Sequence, residues 1–138
     1  MSTSGTGVAL GSFDAFHIGH QTALRAAVNR AAASGVRLVI AIADDALVAA
    51  RCGRAPMVPH DERLEVVAAF FPEQAVEIVT TDVAASLVER FNADRFYVGG
   101  PESAGDTGPP QLIVVPFEMT SSPALLRTVE PDVLWTPA

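Results

Sequence analysis

Apolar positions along the chain follow two spacings, one typical of buried strands and one typical of helices with a single apolar face. Residues 36–43 form an almost continuous apolar run, the pattern of a strand covered on both faces in a parallel sheet. Helical spacing follows the first strand and stops at Gly35. The predicted strands are 8–10, 36–43, 76–81, 95–98 and 111–117; the predicted helices are 20–34, 61–71, 83–92 and 122–129, with a further short helix within 44–55.

This alternation of strands and helices predicts an α/β fold with right-handed crossovers. We expect one domain over residues 1–138, a Rossmann-like three-layer sandwich with a five-stranded parallel sheet. Residues 99–110 are expected to form a loop, because glycines and prolines dominate them. Ligands of such sheets bind beyond the carboxyl ends of the strands. The turn after the first strand is therefore the first candidate for a binding site.

Composition indicates a globular chain of 138 residues, of which 49% are hydrophobic and 18% are charged. So sparse a polar surface favours a homodimer. No apolar run is long enough to span a membrane, and the N-terminus has no basic stretch, so we expect a cytoplasmic protein that does not bind membranes. The single cysteine, Cys52, excludes an internal disulfide and a zinc site with several cysteines.

The charge pattern constrains the partners. The formal net charge is -7, which argues against broad binding to nucleic acid. All nine cationic side chains are arginine, and the chain contains no lysine. Any phosphate held by a side-chain cation must therefore be held by arginine or histidine.

The stretch GSFDAFHIGH, residues 11–20, carries two of the three histidines at the predicted start of a helix. Free amide protons and the helix dipole favour anions there, and imidazole donors suit a polyphosphate. Gly11 allows close approach of a ligand to the backbone. The alternative is zinc held by His17 and His20 with Asp14, but no convincing further ligand completes the site, so we expect no resident metal site.

The same stretch resembles the G-x-F-D-x-x-H-x-G-H signature of the cytidylyltransferase-like nucleotidyltransferases. The resemblance implies that the protein transfers a nucleoside monophosphate from CTP or ATP to a phosphate- or phosphonate-bearing acceptor, releasing pyrophosphate with the help of Mg²⁺. It makes His17 and His20 the catalytic residues that stabilise charge on the phosphates. It also implies nucleotide binding by the other residues of the turn, which are Gly11, Ser12, Phe13, Asp14 and Gly19.

Two further segments resemble parts of this family. Residues 59–67 resemble the segment in which a helical arginine faces the acceptor phosphate, which makes Arg63 a catalytic and acceptor-binding candidate. Its alternative is an exposed arginine paired with neighbouring glutamates, and Asp61 is expected to be the N-cap of its helix. Arg51 and Arg54 stand where related enzymes carry phosphate-binding lysines.

Residues 120–127 resemble the family's I-S-S-T-x-I-R segment, which holds nucleotide phosphates at a helix N-terminus. Ser121 and Ser122 match it, and Arg127 follows one residue later than the pattern. The chain length favours CTP by resemblance to glycerol-3-phosphate cytidylyltransferase, whereas the opening and residues 61–65 resemble pantetheine-phosphate adenylyltransferase. Residues 99–102 read Gly-Gly-Pro-Glu in place of Gly-Asp-Asp-Trp, which leaves the choice of base open. The alternative of another class is a catalytically inactive nucleotide-binding regulator.

Overall fold

The computed structural model describes residues 5–16, 18–99 and 112–116, and the fold is built from the elements within them. The strands are β1 (Thr6–Gly11), β2 (Arg37–Ala43), β3 (Ala75–Val79), β4 (Arg95–Gly99) and β5 (Leu112–Pro116). The helices are α1 (Ile18–Ala33), α2 (Asp45–Cys52), α3 (His60–Phe70) and α4 (Ala84–Phe91), with a single 3-10 turn, Asp14–Phe16, before α1.

The sheet has the strand order β3-β2-β1-β4-β5, which places β1 at its centre. The pairs β1–β2, β2–β3 and β1–β4 are parallel, and the α/β, Rossmann-like fold class is confirmed. The prediction that all five strands are parallel is wrong for β5, which pairs antiparallel with β4 so that Leu112 lies opposite Gly99. Parallel neighbours need a long crossover, usually a helix, and the glycine- and proline-rich residues 100–111 have no helical apolar pattern.

The side chains of β1 alternate between two apolar layers. Val8 and Leu10 pack with Leu87 of α4 on one face of the sheet. Ala9 packs on the other face, in the layer that α1 and α3 cover. In β2, residues 38–43 are all almost fully buried, as expected of a strand with helices on both of its faces.

The start of α3 differs from the prediction. Asp61 is not its N-cap: the helix begins at His60, after Pro59, and no side chain caps it. The Pro59 carbonyl instead accepts hydrogen bonds from the amides of Glu62 and Arg63, both at 3.0 Å. A proline that fixes its own φ at the helix start does this without a side-chain cap. Residues 122–129, predicted to be the last helix, lie outside the described residues.

Candidate active site

Buried polar groups collect at the carboxyl edge of the sheet. Among residues 5–16 and 18–99, four polar or charged residues with described side chains are buried. Ser12 and Asp14 follow β1, Asp82 follows β3, and Arg63 reaches the ends of β1 and β2 from α3. Since burying a polar group is unfavourable unless it is hydrogen-bonded, the partners of these groups define how the edge is built.

The turn between β1 and α1 has a strained backbone. Phe13, Ala15 and Phe16 have φ values of 52°, 62° and 32°, in the left-handed region that residues with a Cβ rarely adopt. Such conformations persist only where the surrounding structure enforces them. The shape of this turn is therefore set by contacts with the rest of the protein.

One of these contacts is a pair of hydrogen bonds accepted by the carboxylate of Asp14, called here the clasp. Its Oδ2 accepts a hydrogen bond from the amide of Met57 at 2.8 Å, and its Oδ1 accepts one from the amide of Val58 at 3.0 Å. The side chain thereby ties the turn to the segment that precedes α3. Within the described part of the chain, no three acidic, histidine or cysteine side chains are grouped closely enough to hold a metal ion.

Gly11 has a packing role in this structure. A Cβ built on it would lie 2.8 Å from Cζ of Phe13, closer than real Cβ contacts. The ring of Phe13 therefore occupies the space beside Gly11 that the sequence assigned to a ligand. A larger residue at position 11 would push this ring out of place.

His20, one of the two predicted catalytic histidines, lies in the first turn of α1 between two aromatic rings. Its imidazole meets the ring of Phe13 edge-on, with centroids 5.6 Å apart, and lies nearly parallel to that of Phe16 at 6.2 Å. Both phenylalanines are buried, so they fix the plane of the half-buried imidazole. Gly19 precedes His20 in the same turn, while His17 lies outside the described residues.

The side chain of Arg63 points into the protein interior. Its side chain is 1% exposed and donates to the carbonyls of Ser12 and Ala43, both at 2.7 Å. It also donates to the carbonyl of Val58 and the carboxylate of Asp45, both at 2.8 Å. A contact with an acceptor phosphate would require Arg63 to leave these partners, so the structure does not bring it to the surface of the site.

The two other arginines of the predicted phosphate site differ from each other. Arg51 forms a two-pronged ion pair with the buried carboxylate of Asp82, through Nε to Oδ2 and through Nη2 to Oδ1. Arg54 is exposed beside a small cleft that Ser12 and Asp14 also line. No hydrogen bond or ion pair of Arg54 occurs within the described ranges. Of the two, Arg54 is therefore the better placed for an incoming anion.

Sequence analysis missed Asp45 and Asp82, the acidic partners of Arg63 and Arg51. Both follow the carboxyl ends of strands, which is the only signal the sequence offers for them. The predicted phosphate-binding residues Ser121, Ser122 and Arg127 lie outside the described residues.

A second cavity lies at the opposite edge of the sheet. It is an open groove of about 390 Å³, lined by the end of α1, the start of β2 and the residues before β3. Val28, Val36 and Leu38 contribute apolar surface to it, and Arg37 and Glu73 contribute charges. Of the predicted site residues that the structure describes, none lines this groove.

Comparison with known proteins gives a consistent result. Residues 8–131 match the family described as cytidylyltransferase-like. A relative, the bifunctional protein HldE of Halorhodospira halophila, is 38% identical over 91 residues, which make up 65% of this chain and 18% of that protein. The chain therefore spans under a fifth of the length of this curated relative.

A solved structure, the lipopolysaccharide core biosynthesis protein of Thermoplasma volcanium, superposes with a TM-score of 0.55 at 22% identity. The match covers 66% of this chain and 70% of that one, and it supports the fold. In the described residues, no helix is both long and apolar enough to cross a membrane.

Proposed function

Because the chain belongs to the cytidylyltransferase-like family, we propose that it is a nucleotidyltransferase that moves a nucleoside monophosphate from an NTP to a phosphorylated small molecule. The observation that carries this proposal is the position of the G-x-F-D-x-x-H-x-G-H turn. It joins the carboxyl end of the central strand to the N-terminus of α1, where a polyphosphate is favoured. The fixed imidazole of His20 stands at that place.

In the proposed reaction, an acceptor phosphate oxygen attacks the α-phosphorus of the NTP in line with the leaving pyrophosphate. One P–O bond forms to the acceptor and one breaks to the β-phosphate, which leaves with the electron pair. No general base is needed, because a phosphate acceptor is already ionised. His17 and His20 donate hydrogen bonds to the phosphate oxygens, where they stabilise the charge that develops.

Mg²⁺ enters this proposal as part of the nucleotide substrate. Mg²⁺ keeps several waters and binds readily to substrate phosphates, without a cage of protein ligands. When bound, the ion offsets charge on the leaving phosphates.

The anion contacts are divided between two sets of residues. We assign the acceptor phosphate to Arg54, since Arg51 is paired with Asp82 and Arg63 is buried. Ser121, Ser122 and Arg127 are assigned to the β- and γ-phosphates on the strength of their motif alone. In this assignment Arg51 stays paired with Asp82 and acts on the site only through the electrostatic field of that pair.

CTP is the first candidate for the nucleotide and ATP the second. The structural neighbour is named for biosynthesis of the lipopolysaccharide core, which is built from sugars, so sugar phosphates head the acceptor candidates. Phosphorylated alcohols, amines and phosphonates follow them.

The test is pyrophosphate release by the purified protein, with four NTPs against these acceptor classes, with and without Mg²⁺. Mg²⁺-dependent release with one acceptor class supports the proposal. Nucleotide binding without release by any pair would instead indicate an inactive regulator.

His17→Ala and His20→Ala variants test the mechanism. Each is expected to lower turnover by about 100-fold or more, as for the loss of one preorganised donor to a developing charge. Thr22→Ala, on the exposed side of α1, is the matched control and should keep full turnover. Near-normal rates in both histidine variants would rule out the mechanism.

A further inference from the structure

Asp45 lies where two segments of the carboxyl edge, the starts of α2 and α3, meet. Its carboxylate accepts a hydrogen bond from Nη2 of Arg63 at 2.8 Å. Its own amide donates to Nδ1 of His60 at 3.1 Å. The start of α2, where Asp45 lies, is thereby held against the first turn of α3.

Arg63 carries this connection on to the turn that bears the histidines. One nitrogen, Nη1, donates both to the carbonyl of Ser12 and to that of Ala43. Ser12 directly precedes the strained residues of the β1–α1 turn, and Ala43 ends β2. Nε of the same guanidinium binds the carbonyl of Val58, whose amide binds Asp14. Asp45, Arg63 and Asp14 thus hold one turn from two sides.

We propose that Asp45 is a positioning residue of the transfer reaction, acting through Arg63 to hold the β1–α1 turn in the shape that presents His20 to the phosphates. This inference rests on the proposed function and adds a residue to it. Asp45 orients the guanidinium of Arg63. The carboxylate bound to Nη2 fixes the guanidinium plane, and with it the directions in which Nη1 and Nε donate to their carbonyls. In this role it acts on the turn without binding either substrate itself.

This arrangement predicts an effect that direct acceptor binding by Arg63 does not. If Arg63 contacted the acceptor, its loss would raise the KM for the acceptor and leave nucleotide affinity unchanged. A positioning role affects the turn instead, so nucleotide affinity and kcat fall together. The two roles therefore separate in a measurement made without any acceptor.

The experiment compares Asp45→Ala and the milder Asp45→Asn with Arg63→Lys. The matched control is Glu77→Ala, which breaks the exposed Arg90–Glu77 pair of the same chemistry, at 3.0 Å on the β3–α4 side. Amide hydrogen exchange is followed in peptides covering residues 11–20 and 84–92, and NTP affinity is measured by calorimetry without acceptor. Turnover is then measured with the substrates found by the screen.

We expect faster exchange in residues 11–20 for the Asp45 and Arg63 variants, with residues 84–92 unchanged, and NTP affinity about tenfold weaker, equivalent to about 1.4 kcal/mol. The kcat falls by a similar factor, and the acceptor KM stays within about twofold. Glu77→Ala shows none of these changes.

Exchange in residues 11–20 that matches the native protein would overturn the proposal, as would a rise in acceptor KM alone. Should Asp45→Ala not fold, Asp45→Asn decides the question by the same measures. The exchange measurement needs no substrate, so it stays decisive even if no nucleotide transfer is found and the proposed function fails.

Discussion

The two edges of the sheet are built on opposite principles. The carboxyl edge buries Ser12, Asp14, Arg63 and Asp82 and joins them by hydrogen bonds to neighbouring segments. The amino edge carries an open groove of about 390 Å³ lined by both apolar and charged side chains. Among the described residues, this groove therefore lies apart from the buried polar groups.

This contrast shows what marks a site for charged substrates. Apolar space can bind a ligand, but a reaction on phosphates needs fixed dipoles and cations around the place where charge develops. Such groups keep their geometry only if buried partners hold them. The carboxyl edge meets that requirement, which favours it over the amino-edge groove as the candidate site.

The strongest test of this contrast is Asp14→Ala. The variant leaves the amides of Met57 and Val58 without their carboxylate partner and frees the strained turn. We expect a loss of about 3 kcal/mol of unfolding free energy, since the buried carboxylate accepts two hydrogen bonds and a hydrogen bond to a charged group contributes about 1.5–3 kcal/mol. Urea denaturation measures it. Asp61→Ala is the control, because that carboxylate is 92% exposed; equal losses in the two variants would contradict the role of the clasp.

A second test compares two ion pairs. Asp82→Asn weakens the buried, two-pronged partner of Arg51 and is expected to cost about 2 kcal/mol, as for a hydrogen bond to a charged group. Glu77→Gln weakens the exposed pair with Arg90 and should cost under about 0.5 kcal/mol. Both losses of unfolding free energy are to be measured from urea denaturation midpoints, at low and at moderate salt concentration. A larger loss for Glu77→Gln would reverse the ranking of the two pairs.

A smaller effect is expected from Tyr97, the only tyrosine, in the apolar layer under α1. Burial raises the pKa of Tyr97 above its ordinary 10.0, and the nearby Arg95 opposes this in part. Above pH 10 the folded protein therefore holds a proton that the unfolded chain has lost, and stability falls as pH rises. Tyrosinate absorbance follows the titration. The Tyr97→Phe variant should show a shallower alkaline decline, and an unchanged slope would refute the link.

The smallest effect is expected at the amino-edge groove. Ala32→Leu places a larger apolar side chain in that groove, far from the predicted site residues. Turnover should stay within about twofold of the native rate, in the range of surface substitutions away from special features. A tenfold loss of turnover in the pyrophosphate assay would show that the two edges are coupled.

Much of the fold could be predicted because the signals are local. The apolar run at residues 36–43 encodes a strand buried on both faces, and helical spacing up to Gly35 encodes α1. The direction of β5 could not be predicted, since an apolar strand pattern is the same in either direction. Its antiparallel pairing depends on the connection that precedes it.

The motif of the candidate site could be predicted from the sequence, but the hydrogen-bond partners of its residues could not. The turn of residues 11–20 was located from its spacing, but its hydrogen-bond partners come from segments distant in sequence. Asp14 binds amides 43 and 44 positions away, and Arg63 binds a carbonyl 51 positions away. Such pairings are set by tertiary packing, which is why Arg63 was predicted at the surface and found in the interior.

The left-handed backbone at Phe13, Ala15 and Phe16 has a consequence for protein design. A peptide with these ten residues would relax to an ordinary turn, because its own φ preferences oppose the bend. Grafting this motif onto another strand–helix junction would therefore transfer its sequence but not its backbone conformation. A successful graft must also include Arg63 and the amide donors of Met57 and Val58, because their hydrogen bonds hold the turn in its bent shape.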